Sequence, residues 1–175
     1  MKGRTRLLVV LVLAAALLTA LVPATGFAEG NKAYFSGLEC VYVLVPGQVE
    51  IHGSTMHIVD QVNQNLFLSD DPAVLPNGVN TAHLNITINM VTMKGMGQAS
   101  ASFQPGGATG SWAGIGAFQA DFVAGTLQGR GVFQGTGEFA GLTMWQDMAK
   151  GNVADCPGTA WDATTWYGFI VPAES

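Results

Sequence analysis

Residues 82–90 read Ala-His-Leu-Asn-Ile-Thr-Ile-Asn-Met, and apolar and polar side chains alternate through most of this stretch. Successive side chains of a β-strand point to opposite faces of the sheet, so this alternation predicts a strand with one face buried. Leu84, Ile86, Ile88 and Met90 would form the buried face. The stretch therefore predicts a half-buried strand.

Shorter versions of the same alternation recur along the chain, separated by Gly and Pro, and no segment after residue 28 shows a helical period. The other predicted strands are 39–45, 48–52, 55–61, 97–103, 111–118, 126–134, 141–146 and 164–171. Strands joined by turns pair antiparallel, and closure removes the exposed edges of the sheet. We therefore predict an all-β fold with one antiparallel up-and-down barrel of about eight strands. A two-sheet β-sandwich is the alternative.

Residues 63–80 are the longest stretch that does not fit the alternation. They contain Asp70-Asp71-Pro72 and Pro76-Asn77-Gly78, which are typical of turns. We therefore predict a loop over 63–80, near a barrel mouth or edge.

The first 28 residues resemble a secretory signal peptide. Residues 1–6 carry three cations, residues 7–22 are apolar except for Thr19, and small residues flank Phe27 before a cleavage point after Ala28. A retained membrane anchor is the alternative. The sequence thus predicts a signal peptide over 1–28, a β-barrel domain over 29–175 and a secreted or otherwise extracytoplasmic location.

The charge of the chain without that segment limits its partners. Seven Lys and Arg less the three in residues 1–6 leave four, against twelve Asp and Glu, so the net charge is −8. Nucleic acid is therefore not an expected partner, and the absence of a basic run predicts no membrane binding after signal cleavage. The sequence leaves the oligomeric state open.

The two cysteines, Cys40 and Cys156, belong to a chain predicted to reach an oxidising compartment. We predict that they form one disulfide, and two free buried thiols are the alternative.

Glycine is frequent between residues 107 and 141, where large aromatic side chains interrupt it. Gly within a strand indicates a bend or close packing, which tightly coiled barrel strands need. These glycines do not open a helix, so a nucleotide-binding loop is not predicted. We expect no cofactor.

The segment 129–142, Gly-Arg-Gly-Val-Phe-Gln-Gly-Thr-Gly-Glu-Phe-Ala-Gly-Leu, resembles the glycine-rich hairpin of the allene oxide cyclase and dirigent-like barrels. Residues 110–114 and 167–172 are similar to further parts of small bacterial secreted proteins with this barrel. The resemblance implies a calycin-like barrel with an apolar cavity, which in the plant cyclases holds a reactive lipid epoxide. It assigns no catalytic residue in this chain.

Three functions remain open. The leading hypothesis is a barrel that binds a small apolar or amphipathic ligand, with wall candidates Trp112, Phe118, Phe133, Phe139 and Trp145. An isomerase or cyclase that shapes a reactive substrate in a dry cavity is the second, although the sequence contains no nucleophile motif and a hydrolase is not expected. The third is a solid barrel that contacts a partner through loop 63–80.

Arg130 and Glu138 have the same alternation parity around Gly135, which suggests a cross-strand ion pair. Outside the barrel this pair would be a surface salt bridge; inside it, Arg130 would be a ligand-binding cation. Trp161 and Trp166 are either barrel core or the lining of a mouth.

A hairpin turning at Gly53-Ser54 would place Glu50, His52 and His57 on one face. We predict a solvated outer face, since the spacing matches no metal motif; a metal held by these three residues is the weaker alternative.

Overall fold

The computed structural model describes residues 32–173, so the predicted signal peptide over 1–28 lies outside the described residues. Within that range no helix is long and apolar enough to cross a membrane. Two single-turn 3-10 helices occur, at Gly137–Phe139 and Val153–Asp155. The strands are β1 Ala33–Val45, β2 Gln48–His52, β3 Thr55–Ser69, β4 Gly78–Asn89, β5 Lys94–Pro105, β6 Trp112–Asp121, β7 Thr126–Gly135, β8 Leu142–Lys150 and β9 Asp162–Pro172.

Eight of these strands form a closed antiparallel up-and-down barrel, which confirms the predicted fold class. Neighbouring strands from β3 to β9 pair in chain order, β9 pairs with β1, and β1 pairs with β3 to close the sheet. The two-sheet sandwich is therefore wrong. The ninth strand, β2, pairs only with the first part of β3 and extends the sheet beyond the barrel.

The barrel has a closed end and a mouth. The closed end is solid because large side chains of seven strands and of the β3–β4 connection meet inside it, with Phe67 and Trp166 rings 4.9 Å apart. Its buried members are Phe35, Phe67, Leu75, Phe103, Trp112, Phe133, Met144, Trp166 and Ile170. The mouth is the opposite end, where the β2–β3, β4–β5, β6–β7 and β8–β9 connections lie.

Loop 63–80 is a wrong prediction, because β3 continues to Ser69 and β4 begins at Gly78. A bulge between Ile58 and Gln61 shifts the inward parity of β3 from even to odd residues. The inward positions beyond the bulge are partly polar, so the polar-apolar pattern fails although the strand continues. The true connection, residues 70–77, covers the closed end and buries Leu75 completely.

Missing side chains let the strands coil around the aromatic core. A Cβ atom on Gly37 would lie 2.5 Å from Cζ of Phe67, and one on Gly129 would lie 2.8 Å from Cγ of Met148. Both distances are far below van der Waals contact. The alternation of glycine and large side chains is therefore a packing requirement of this barrel.

The disulfide between Cys40 and Cys156 is present, as predicted. It joins β1 to the β8–β9 connection, residues 151–161, at the mouth. The Tyr42 hydroxyl donates to the Pro157 carbonyl at 2.5 Å, and the Trp161 N–H donates to the Val41 carbonyl at 2.8 Å. These contacts fix the connection against β1.

Candidate functional site

The mouth half of the barrel encloses a cavity of about 350 Å³. This volume lies at the lower end of the range of small-molecule pockets. About a dozen water molecules occupy the same volume in liquid water. The wall is mainly apolar. Its large apolar members are Val41, Met56, Ile58, Leu84, Ile86, Ile88, Phe118, Phe122, Leu127, Phe133, Met148, Trp161 and Trp166.

Small residues on β5 and β6 leave the space that the cavity occupies. Ala99 and Ala101 lie on the inward face of β5, and Gly116 pairs with Ala99 from β6. Aromatic side chains at the matching positions nearer the closed end, Phe103 and Trp112, fill the barrel instead. The change from large to small inward residues therefore sets where the solid half ends.

A buried carboxyl group, that of Glu39, lies where the cavity meets the aromatic core. Both of its oxygens accept two hydrogen bonds. Oε1 accepts from the amides of Asn65 at 2.9 Å and Asn80 at 2.8 Å, and Oε2 accepts from Thr164 Oγ1 at 3.0 Å and Trp166 Nε1 at 2.9 Å. Four donors from β3, β4 and β9 thus hold one side chain of β1.

Burial raises the pKa of the Glu39 carboxyl above its ordinary value, because water no longer solvates the charged form. The hydrogen bonds from Asn80, Asn65, Thr164 and Trp166 act in the opposite direction and offset only part of this effect. The site therefore holds a carboxyl group with a strengthened tendency to keep its proton.

Further polar side chains line the cavity beside this network. Gln61 donates to Asn63 at 2.9 Å, and both are buried. Gln146 is only 2% exposed, and neither its Oε1 nor its Nε2 has a hydrogen-bond partner among the described residues. Buried amides without partners are rare in folded proteins, since each unpaired group costs about 1–3 kcal/mol. Gln146 thus offers a free donor and a free acceptor to the cavity.

The charged groups of the lining are acidic. Glu39 and Asp162 line the cavity, and within residues 32–173 no Lys, Arg or His does. Asp162 is paired with Lys150 at the mouth. The cavity therefore suits an uncharged polar group better than a carboxylate.

The predicted wall residues divide between three locations. Phe118 and Phe133 line the cavity. Trp112 is fully buried in the closed end, where Phe139 stacks on it with ring centroids 5.0 Å apart. Trp112 and Phe139 therefore belong to the solid half and not to the cavity wall. Trp145 is 47% exposed on the outer face of β8, so its prediction as a wall residue is wrong.

Arg130 also lies outside the barrel, with its side chain 86% exposed, and its predicted partner is wrong. Its Nε donates to Asp147 at 2.7 Å, because β7 and β8 pair these two residues directly. Glu138 lies in the 3-10 turn after β7 and accepts from the Thr109 N–H at 2.7 Å. A wide hollow of about 830 Å³ runs along the outer face past Arg130, and it is open to solvent. The interior cavity has the enclosing walls that a ligand site needs.

The β2–β3 hairpin forms with the predicted register, pairing Glu50 with His57 and His52 with Thr55. Glu50 and His52 lie 3.6 Å apart and are largely exposed, while His57 Nδ1 is 3.1 Å from Thr87 Oγ1. Among residues 32–173 no three His, Cys, Asp or Glu side chains converge in a metal-binding arrangement. The hairpin does not assemble the alternative metal site.

Trp161 and Trp166 both line the cavity, at opposite ends. Trp161 is 67% exposed at the mouth, and Trp166 is buried at the floor beside Glu39. Trp166 is thus part of the barrel core, and Trp161 lines the mouth.

The polar floor of the cavity was not predicted from the sequence. The available signal was the position of Glu39, since Phe35, Gly37, Glu39 and Val41 share one face of β1 and the other three are small or apolar. A lone carboxylate on an inward face indicates a buried charge. The remaining members of the floor are Gln61, Asn63, Asn65, Asn80, Gln146 and Thr164.

Fold and cavity together define a closed eight-stranded antiparallel β-barrel that is solid at one end and hollow at the other. No protein-family model, no curated protein and no solved structure matches the chain.

Proposed function

We propose that this barrel binds one small amphipathic molecule, whose apolar part lies in the mouth half and whose uncharged polar group reaches the floor. The observation that supports this most strongly is Gln146, a buried amide with two free hydrogen-bonding atoms on the wall of an apolar cavity. A purely structural wall would place an apolar residue there, because an unpaired amide destabilises the fold.

The proposed location is extracytoplasmic. The disulfide between Cys40 and Cys156 supports it, since such bonds persist mainly in oxidising compartments. The predicted signal peptide over 1–28 and the resemblance to allene oxide cyclase and dirigent-like barrels are parts of the same proposal.

Displacement of an environment-sensitive apolar dye tests the cavity. The dye is bound to the purified exported protein and then displaced by a fatty alcohol or by the fatty acid of the same length. We expect the alcohol to compete better at neutral pH, because the described residues of the lining include two acidic groups and no cation. Equal competition, or a stronger acid, would contradict an uncharged polar group.

Two matched pairs of variants locate the binding. Ala99→Phe fills the cavity and should abolish dye binding, whereas Ala117→Phe places the same side chain on the outer face. Gln146→Met should weaken binding of the alcohol and leave the affinity for the dye unchanged. Gln119→Met, on the outer face, should change neither affinity. Dye that still binds the Ala99→Phe variant would place the site elsewhere.

The second candidate is an isomerase or cyclase, and Glu39 is the observation that favours it. A buried carboxyl group with a raised pKa can hold or accept a proton beside a substrate in a dry cavity. The test offers an unsaturated lipid epoxide and measures the enantiomeric excess of the cyclised product. An excess that Glu39→Gln abolishes would support this function, and a racemic product with the unaltered protein would exclude it for this substrate class.

A further inference from the structure

The mouth of the barrel carries an unusual concentration of exposed apolar side chains. We define the mouth rim as the exposed apolar residues of β2, of the turns 90–93 and 122–125, and of the connection 151–161. Val91 is 79% exposed, Val123 is 78% exposed, and both occupy turn positions that polar residues normally take. Exposed apolar patches of this kind indicate an interaction site.

Two of the rim turns have the same construction. In the β4–β5 turn Asn89 Oδ1 accepts from the N–H groups of Val91 and Thr92, at 3.0 and 2.9 Å. In the β6–β7 turn Asp121 Oδ1 accepts from Val123 and Ala124, at 3.1 and 2.9 Å. Each turn is thus held by its first side chain and presents a large apolar residue followed by valine. The apolar tips are therefore held outward by fixed turns.

The other two segments of the mouth rim are the connection 151–161 and β2. The side chain of Trp161 is exposed, while its backbone N–H donates to the Val41 carbonyl. The nearby disulfide fixes the connection 151–161 that carries it. β2 presents Val49 and Ile51, both more than half exposed, beyond the edge of the barrel. Tryptophan is enriched at membrane–water interfaces, and the strength of interfacial binding grows with the apolar area that enters the interface.

The charged side chains at the mouth determine which kind of lipid surface the rim could contact. The turn residues 90–93 and 122–125 contain no charged side chain, and the other two rim segments contain Glu50 and Asp155 but no Lys or Arg. Below the tips, Lys94 pairs with Asp121 at 3.6 Å and Lys150 pairs with Asp162, so the cations at the strand ends are neutralised. A surface of anionic lipids requires unpaired cations, whereas a surface of neutral headgroups does not.

We propose that the mouth rim docks the barrel on a lipid surface of uncharged or zwitterionic headgroups. Phe122 and Trp161 belong to both the rim and the cavity wall, so a docked barrel would offer an apolar path from the bilayer into the cavity. The path rests on the proposed function, and the docking does not. A fluid bilayer accommodates separate protrusions around an opening, while a protein partner would need a shaped plug. The proposal departs from the expectation of no membrane binding.

The test measures flotation of the purified exported protein with phosphatidylcholine vesicles. A Val91→Ser/Val123→Ser variant should lose at least tenfold in partitioning. A Val79→Ser/Ile115→Ser variant, which removes exposed apolar residues away from the mouth, should stay within twofold. Quenching of tryptophan fluorescence by brominated lipid should fall in a Trp161→Phe variant, because that residue would enter the interface.

The proposal would be overturned by no binding, by equal losses in the two double variants, or by binding that appears only with added phosphatidylglycerol. A dimer in solution that the rim variant dissociates, without vesicle binding, would assign the rim to a second copy of the chain and also overturn it. The rim variant should still bind the apolar dye, since neither valine lines the cavity. Vesicle binding without dye binding would support docking while refuting the proposed function.

Discussion

Replacing Glu39 by Gln is expected to change how stability depends on pH, and the direction of the change is fixed by burial. The native carboxyl has a raised pKa, whereas in the unfolded chain it titrates near its ordinary value of 4.5. Between these two pKa values the native state binds one more proton than the unfolded state. Stability therefore falls as pH rises through this window, and the lost contribution is fully present below the unfolded pKa.

The size of this pH dependence follows from the binding of one extra proton by the native state. The free energy of unfolding should fall by at most about 1.4 kcal/mol per pH unit inside the window and stay level above the native pKa. Glu39→Gln has nearly the same shape and does not titrate, so subtracting its stability from that of the unaltered protein isolates this term. Any misfit of the amide against the four donors adds a constant and does not change the slope.

The assay is urea unfolding followed by tryptophan fluorescence between about pH 4 and pH 8. Glu50→Gln is the matched control, since the Glu50 side chain is about 60% exposed and its pair with His52 is of little worth. The difference curve for Glu39 should fall with pH and the control curve should be shallow. A Glu39 curve that is flat would refute the reasoning. A curve that rises with pH would mean that the four hydrogen bonds outweigh burial.

Three further outcomes are expected from unfolding and dye-binding measurements. Replacing Cys40 and Cys156 by Ala should remove about 5 kcal/mol of stability on the chain-entropy estimate for a separation of 116 residues, and a loss below about 1 kcal/mol would contradict that account. Trp166→Phe removes the bond to Glu39 and should cost about 2 to 4 kcal/mol, while Trp145→Phe, on the outer face, should stay within about 0.5 kcal/mol. Arg130→Gln should leave dye affinity unchanged, and reduced affinity would contradict its external position.

The fold followed from the sequence because the strands obey simple local rules. Of the four residues of 82–90 predicted to face inward, Leu84, Ile86 and Ile88 line the cavity, whereas Met90 lies exposed in the turn after β4. The hairpin at Gly53 has the predicted register, since a two-residue turn leaves only one way to pair its strands. Period and turn length are local properties, so a single sequence carries them.

The polar floor did not follow, because it depends on long-range contacts and on a bulge. Trp166 and Glu39 are 127 residues apart, and only barrel closure brings β1 and β9 together. Asp60, at the bulge of β3, has a positive φ of 57°, which no local pattern indicated. A parity carried forward from Ile58 without the bulge would send Asn63 and Asn65 outward, although both are buried.

The pairing of Arg130 failed for a related reason. The prediction continued the alternation of strand 126–134 around Gly135 as far as Glu138. The chain instead forms a 3-10 turn at Gly137–Phe139, so β8 begins at Leu142 and places Asp147 opposite Arg130. Connections of more than two residues leave the register open, and a sequence-based pairing across them is correspondingly uncertain by several residues.

The two halves of the barrel have opposite effects on stability, and this contrast is itself an argument about function. Burying a carboxyl group and several amides opposes folding, even where hydrogen bonds compensate most of them. The aromatic closed end, with Trp112, Phe103 and Trp166 almost fully buried, supplies apolar burial that offsets this loss. An apolar floor would give a more stable barrel with the same strands. The polar floor, and Gln146 in particular, is therefore an observation in favour of the proposed ligand binding.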